Sequence, residues 1–238
     1  MTAQQKLVAA VIVAAACALV PAGAGADPII PNANFSLGYS GFSSSYVYLR
    51  YPSVENPDLM YPEGMFTVGG NPGFVHDRWL DMADHTTGDG LMLIVNGNRV
   101  ADMLVWSTTV AVAPNTQYDF SAWAASTYYR SPSSLAFSIN GTVLDAPLVL
   151  PSDTGVWQQF AAGWYSGNST TAILSLVNGN TEWNGNDFVL DDIALTTRPL
   201  VSPVSLPEDP PVPVPEPASL LLVVSGLVGL RGWMRRRK

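Results

Sequence analysis

The sequence predicts an all-β chain: an antiparallel β-sandwich of jelly-roll type, flanked by an N-terminal signal helix and a C-terminal membrane helix. Three observations point there. Short runs of alternating apolar and polar residues recur between turn signals, and no run with a 3.6-residue period is long enough for a core helix. The chain holds 20 Gly and 19 Pro, which punctuate those runs. Only 13% of residues are charged, and the aromatics are rich in Trp and Tyr, a mix that suits turn-dense β structure.

In chain order, Lys6 precedes an apolar run over residues 7–20, followed by Pro21, Gly23 and the small-x-small triplet Ala24-Gly25-Ala26. This is a signal peptide, 1–26, with signal-peptidase cleavage expected after Ala26 and with Ala24 and Ala26 as the recognised small residues. The apolar run is about 14 residues and a membrane span needs roughly 20. The single cysteine, Cys17, falls inside it, so the exported domain has no disulfide to draw on.

Residues 27–198 are the working domain, large enough at roughly 170 residues for one real core. Strands are expected over residues 91–95, ending at Asn96-Gly97, and over 103–112, ending at Ala113-Pro114-Asn115. In 116–125, Tyr118, Phe120, Ala122 and Ala124 alternate with Asp119, Ser121 and Trp123, the period of a half-buried strand. Leu135, Phe137 and Ile139 alternate likewise into Asn140-Gly141, a strong hairpin signal. Val156, Gln158, Phe160, Ala162 and Trp164 form another face, with Trp157 on the opposite side. Residues 173–177, ending at Asn178-Gly179, and 188–195 complete the set. The stretch 37–81, rich in Tyr, Ser, Pro and Gly, has no clean period; a ligand-specificity region and an ordinary long crossover both remain open for it.

Residues 199–214 form a Pro-rich linker; with the motif that follows, eight of the nineteen residues 199–217 are proline, which fixes φ repeatedly and predicts an extended spacer. Then come Pro215-Glu216-Pro217, an apolar stretch predicted to form a membrane helix over about 218–234, and the basic residues Arg231, Arg235, Arg236, Arg237 and Lys238. With Arg231 snorkelling, this helix is marginally long for a bilayer. The basic tail places its end in the cytoplasm.

Charge is distributed unevenly. Between residues 27 and 200 sixteen Asp and Glu stand against five Arg and no Lys, a net of −11. Such a domain repels phosphate backbones, so nucleic acid is excluded as a partner and divalent cations are favoured.

The C-terminal order of parts, Pro215-Glu216-Pro217, apolar helix and Arg-rich tail, closely resembles the PEP-CTERM sorting signal of Gram-negative bacteria. The resemblance implies handling by a membrane-embedded exosortase near the motif, a transient membrane anchor, and delivery to the cell surface or an exopolysaccharide-rich matrix. The domain itself is similar to the galactose-binding-like jelly rolls of carbohydrate-binding modules. The likeness rests on Asn32-Ala33-Asn34-Phe35 at an expected first strand and on Asp84-His85-Thr86-Thr87-Gly88-Asp89-Gly90 leading into LMLIVNG. It continues through VWSTTVAVAPNTQYDFSAWAA, LAFSINGTVL, GVWQQFAAGWYSG and NDFVLDDIAL.

That likeness implies a polysaccharide ligand and a structural calcium ion. Asp191 and Asp192 are adjacent on the last expected strand, so one must point inward. Period puts Asp191 on the face of Val189, Ile193 and Leu195, and a buried carboxylate needs a cation or several donors. Asp84 or the backbone around Asn34 would add oxygens for calcium; the alternative is a carboxylate bonded to loop amides. Exposed aromatics are the usual platform for sugar rings. Trp123, Trp157 and Trp183 are the candidates, with Tyr46, Tyr48 and Tyr51 behind them, and Trp183, among Thr181, Asn184, Gly185 and Asn186, is expected in a loop. Two histidines, His76 and His85, and no cysteine outside the signal run argue against a catalytic zinc site. Serine-nucleophile and P-loop motifs are absent. The expectation is a non-catalytic surface protein that binds polysaccharide. A structural or adhesive protein without a sugar ligand, or a polysaccharide-degrading enzyme, are the alternatives.

Overall fold

The computed structural model describes residues 29–51 and 60–198. The chain divides into two units, Met1–Arg198 and Pro199–Lys238, and every described residue belongs to the first. The signal peptide with Ala24 and Ala26, the proline linker, Pro215-Glu216-Pro217, the membrane helix and the basic tail from Arg231 lie outside the described residues. Among the described residues no helix is long and apolar enough to cross a membrane.

The described residues form eleven strands: β1 (Val47–Tyr48), β2 (Met65–Gly69), β3 (Met92–Asn96), β4 (Leu104–Ala111), β5 (Gln117–Ser126), β6 (Ser134–Ile139), β7 (Thr142–Val143), β8 (Leu148–Val149), β9 (Gln158–Tyr165), β10 (Thr171–Asn178) and β11 (Phe188–Thr197), with one 3₁₀ turn at Pro72–Phe74. They make a β-sandwich of two sheets, ordered β1-β2-β3-β11-β5-β9 and β4-β10-β6-β7, with β8 also on β6. Pairing is antiparallel except for the short β1–β2 contact.

Period 2 builds the main core. Tyr118, Phe120, Ala122 and Ala124 of β5 meet Leu135, Phe137 and Ile139 of β6 and Leu174 and Leu176 of β10 between the sheets. Asn140 and Gly141 take φ of 53° and 78°, closing the two-residue β6–β7 hairpin as the Asn-Gly pair predicts.

Three local expectations are corrected. Residues 32–35 are a turn rather than a first strand. Asn32 and Phe35 have φ of 52° and 56°, and the Asn32 side chain accepts from the Leu37 N–H and donates to the Gly38 and Ser40 carbonyls. Local asparagine bonds here displace ladder bonds. β9 begins at Gln158, so Val156 and Trp157 precede it. Most consequentially, Asp192 sits at φ 46° in a bulge, and the β11–β5 register shifts between Asp191 and Ala194. The extra residue flips parity. Phe188 and Leu190 face the core before it and Ile193 and Leu195 after it, while Asp191 pairs with Trp123 and joins Val189 on the outer face.

Described residues on either side of β2 form a covering layer. Met60, Val75 and Trp79 pack on Met92, Ile94, Ala125 and Val189, the outer-face residues of β3, β5 and β11. This second apolar cluster buries β3 on both faces, which is why Met92-Leu93-Ile94-Val95 does not alternate. Each such fully buried side chain contributes about 1.5–3 kcal/mol.

Candidate functional site

At one end of the six-stranded sheet the covering layer and the loop from β10 to β11 enclose a cleft of ≈ 190 Å³. Tyr61, Glu63, His76, Arg78 and Trp79 come from the covering layer, Asn96 from the end of β3, Tyr128 from the loop after β5, and Trp183, Asn184, Gly185 and Asp187 from the 179–187 loop.

Asparagine side chains anchor the last of these loops. The Asn180 amide donates to the Ser131 and Pro132 carbonyls at 2.8 Å each, Asn186 Nδ2 donates to the Asn180 carbonyl at 2.8 Å, and Asn178 Oδ1 accepts from the Ser134 and Asn180 N–H groups. Held this way, Trp183 stands 60% exposed on a braced loop. Tyr61 is 50% exposed. Its ring leans on His76 at 4.7 Å, and His76 stacks on the buried Trp79 at 4.6 Å with 13° between planes. The result is an aromatic wall with both an accessible and a buried end.

Two carboxyl groups lie in this cleft. Asp187 is only 7% exposed. Its Oδ2 accepts from the Trp79 indole N–H at 3.1 Å and its Oδ1 from the Gly97 N–H at 3.2 Å. Burial pushes its pKa up to about 8, against the pull of the Gly97 and Trp79 donors and with the added push of nearby Glu63. Glu63 is half-buried, and burial raises it to about 7 although Arg99 draws it down. Glu63 Oε2 is hidden from solvent and accepts no hydrogen bond among the described residues. The same neighbourhood holds buried Tyr46, raised to about 12 by burial and by the charges of Glu63 and Asp187. Near neutral pH these carboxyl groups therefore share their time between donor and acceptor forms, beside amides and exposed rings.

The residues named for calcium are arranged differently. Asp191 is 0% exposed beneath the 84–87 loop. Its Oδ2 accepts from the His85 N–H at 2.9 Å and from Thr86 N and Oγ1, and its Oδ1 from the Asp192 N–H at 2.8 Å. Burial raises it to about 6. Asp192 bonds His85 Nδ1 at 2.7 Å and Thr86 Oγ1 at 2.7 Å. Asp84 accepts from the Thr87 and Gly90 N–H groups; these donors outweigh its burial and hold its carboxyl below the usual range. Asn34 Oδ1 accepts from Ser36 N–H within its own turn. Calcium needs several oxygens turned toward one point. The side-chain oxygens here are turned toward N–H and O–H donors.

Trp123 and Trp157 are brought together around His85. His85 stacks on Trp123 at 4.1 Å and meets Trp157 edge-on at 5.4 Å, and both indoles are half-buried. Of the three tryptophans, only Trp183 lines the cleft. Tyr61, Glu63, Arg78, Trp79, Tyr128 and Asp187 were not singled out by sequence reasoning. The one signal present was the aperiodic stretch 37–81, which supplies five of the cleft residues from Tyr61 to Trp79.

Residues 213–238 match the PEP-CTERM protein-sorting motif. The chain carries a PEP-CTERM sorting motif. That motif implies export and exosortase-mediated sorting to the cell surface. No curated protein matches the chain. Among solved structures, a Stig cyclase from Fischerella sp. TAU in complex with an indole compound superposes with a TM-score of 0.50 at 12% identity, over 72% of this PEP-CTERM chain and 97% of that chain. The neighbours also include carbohydrate-binding modules. TmCBM61 in complex with β-1,4-galactotriose gives 0.47 at 13% identity, over 73% and 100% of the two chains. The CBM22-1 xylan-binding domain from Paenibacillus barcinonensis gives 0.38 at 16%, over 49% and 79%. At 12% identity the likeness to the cyclase speaks to the fold alone.

Proposed function

We propose that this PEP-CTERM chain is a non-catalytic surface or matrix protein whose cleft binds polysaccharide. One observation carries the reading: Trp183 and Tyr61 are exposed at a cleft whose deeper lining is Asn96, Asn184, Glu63 and Asp187. Sugar rings present C–H faces that stack on aromatic planes and hydroxyls that bond to amides and carboxyl groups. The volume suits one ring of a longer chain, with the rest outside. The test is polysaccharide pull-down and titration calorimetry with the full-length protein. Trp183→Ala is expected to weaken binding about tenfold or more while barely moving the melting temperature, because the ring is mostly in solvent. Failure to bind any polysaccharide would sink the reading.

The sorting half of the proposal follows the tail. An exosortase acts near Pro215-Glu216-Pro217 while the 218–234 helix and the basic residues Arg231, Arg235, Arg236, Arg237 and Lys238 hold the end at the cytoplasmic side. Signal peptidase removes residues 1–26 first. Cell fractionation checks it: with the exosortase present a shortened form leaves the membrane, and without it the longer form stays bound. Equal release in both strains contradicts this route.

A second reading has an observation of its own. Glu63 and Asp187 hold protons near neutral pH in an aromatic cleft, the property a general acid for glycoside cleavage requires. Release of reducing sugar ends from a bound polysaccharide, lost in Glu63→Gln, is the result that favours it over simple binding.

A further inference from the structure

The carboxyl groups of the cleft say something about which polysaccharide. Resting on the polysaccharide reading above, we propose that the cleft selects chains bearing free amino groups, one sugar ammonium being held between the aromatic wall and the carboxyl groups of Glu63 and Asp187.

Three observations converge on this ligand class. Tyr61, Trp79, Tyr128 and Trp183 line one small cleft, and aromatic faces attract cations, most strongly where water is thinned. Glu63 Oε2 is buried there without a donor, and a buried carboxylate oxygen in that state is satisfied by a proton or by an arriving cation. An ammonium brings three N–H donors and a charge, which meets the need of Glu63 without disturbing the Trp79 and Gly97 bonds to Asp187.

The surroundings agree. The groups near the pair are Arg99, acting on Glu63, the buried Tyr46, which feels the charges of both carboxyl groups, and Arg78 and His76 on the cleft lining. Burial outweighs Arg99 at Glu63 and raises it to about 7, so a cation arriving beside its buried oxygen would favour the ionised form. Over longer range, sixteen acids against five Arg between residues 27 and 200 draw polycations toward the domain and repel polyanions. A uronic-acid or sulfated polymer is thereby disfavoured.

The experiment compares a β-1,4-glucosamine tetrasaccharide with its N-acetylated counterpart, titrated at pH 7 into the full-length protein purified in mild detergent. The free-amine form is expected to bind about tenfold tighter. Glu63→Gln, which keeps shape and removes charge, is expected to cut that preference at least about threefold, read as the ratio of the two affinities within the variant; Trp183→Ala weakens both. Should Glu63→Gln fold poorly, the wild-type protein still decides, since the preference must shrink as salt is raised from about 0.05 to 0.5 M. Equal or tighter binding of the acetylated form, still sensitive to Trp183→Ala, overturns amine selection and leaves the cleft reading standing. A preference indifferent to salt overturns it too. Binding of neither sugar overturns amine selection and leaves the cleft reading to the polysaccharide pull-down, whereas binding indifferent to Trp183→Ala removes the cleft reading itself.

Discussion

Trp183 and Asp187 stand on one loop and meet opposite environments, one ring mostly in solvent and one carboxyl almost fully removed from it. The buried carboxyl has a consequence for stability. Asp187 at about 8, Glu63 at about 7 and Asp191 at about 6 all lie above the ordinary carboxylate range, each raised first by burial. Between about pH 4 and pH 8 the folded state therefore holds more protons than the unfolded chain. A raised folded pKa gives stability that is full below the unfolded value and is lost as pH climbs through the folded one. The melting temperature is expected to fall from pH 5 to pH 9, and Asp187→Asn should flatten the upper part of that fall. A profile that is level or rising over this window would contradict the burial of these groups. None of this was visible in the residue string, because desolvation is conferred by neighbours: Asp187 is one acid among sixteen between residues 27 and 200 until Trp79 and Gly97 close around it.

At the scale of elements, the loop from β10 to β11 is where backbone geometry and recognition meet. Gly185 has φ of 130°, and a Cβ there would lie 1.9 Å from the Arg130 carbonyl oxygen. Gly185→Ala is expected to destabilise the domain by at least about 2 kcal/mol and to displace Trp183, so that denaturant midpoint and polysaccharide affinity fall together. Unchanged affinity in that variant would show that the loop does not present the ligand. Strands β5, β6 and β10 were legible because each has one face in the core and the other outside, and period 2 records that directly. The bulge at Asp192 was not. Strict alternation puts Asp191 with Ile193 and Leu195, whereas one residue at φ 46° moves it to the other face. The covering layer over β3 was equally hidden, since a segment without period leaves no trace of which sheet face it will meet.

For the whole molecule, a domain with no cysteine outside residues 1–26 rests on two apolar clusters and on carboxylates tied to loop donors. The oxygens of Asp84, Asp191 and Asp192 are occupied by N–H and O–H donors, so excess chelator is expected to leave the melting temperature where it was. A drop of several degrees would reveal an ion bound to the folded state alone. The net charge of −11 between residues 27 and 200 belongs to this scale as well, setting which polymers approach before any contact forms.

Local order along the chain was enough for the β-rich character, the Asn-Gly hairpin and the PEP-CTERM tail, because alternation, turn chemistry and a linear sorting motif are each written in consecutive residues. The cleft is different in kind. Tyr61, Glu63, Trp79, Asn96, Tyr128, Trp183 and Asp187 are spread over more than half of the chain, and only the folded sandwich places them around one cavity. Their raised carboxyl groups and exposed rings follow from what each one packs against, a property of the assembled fold that no run of adjacent residues contains.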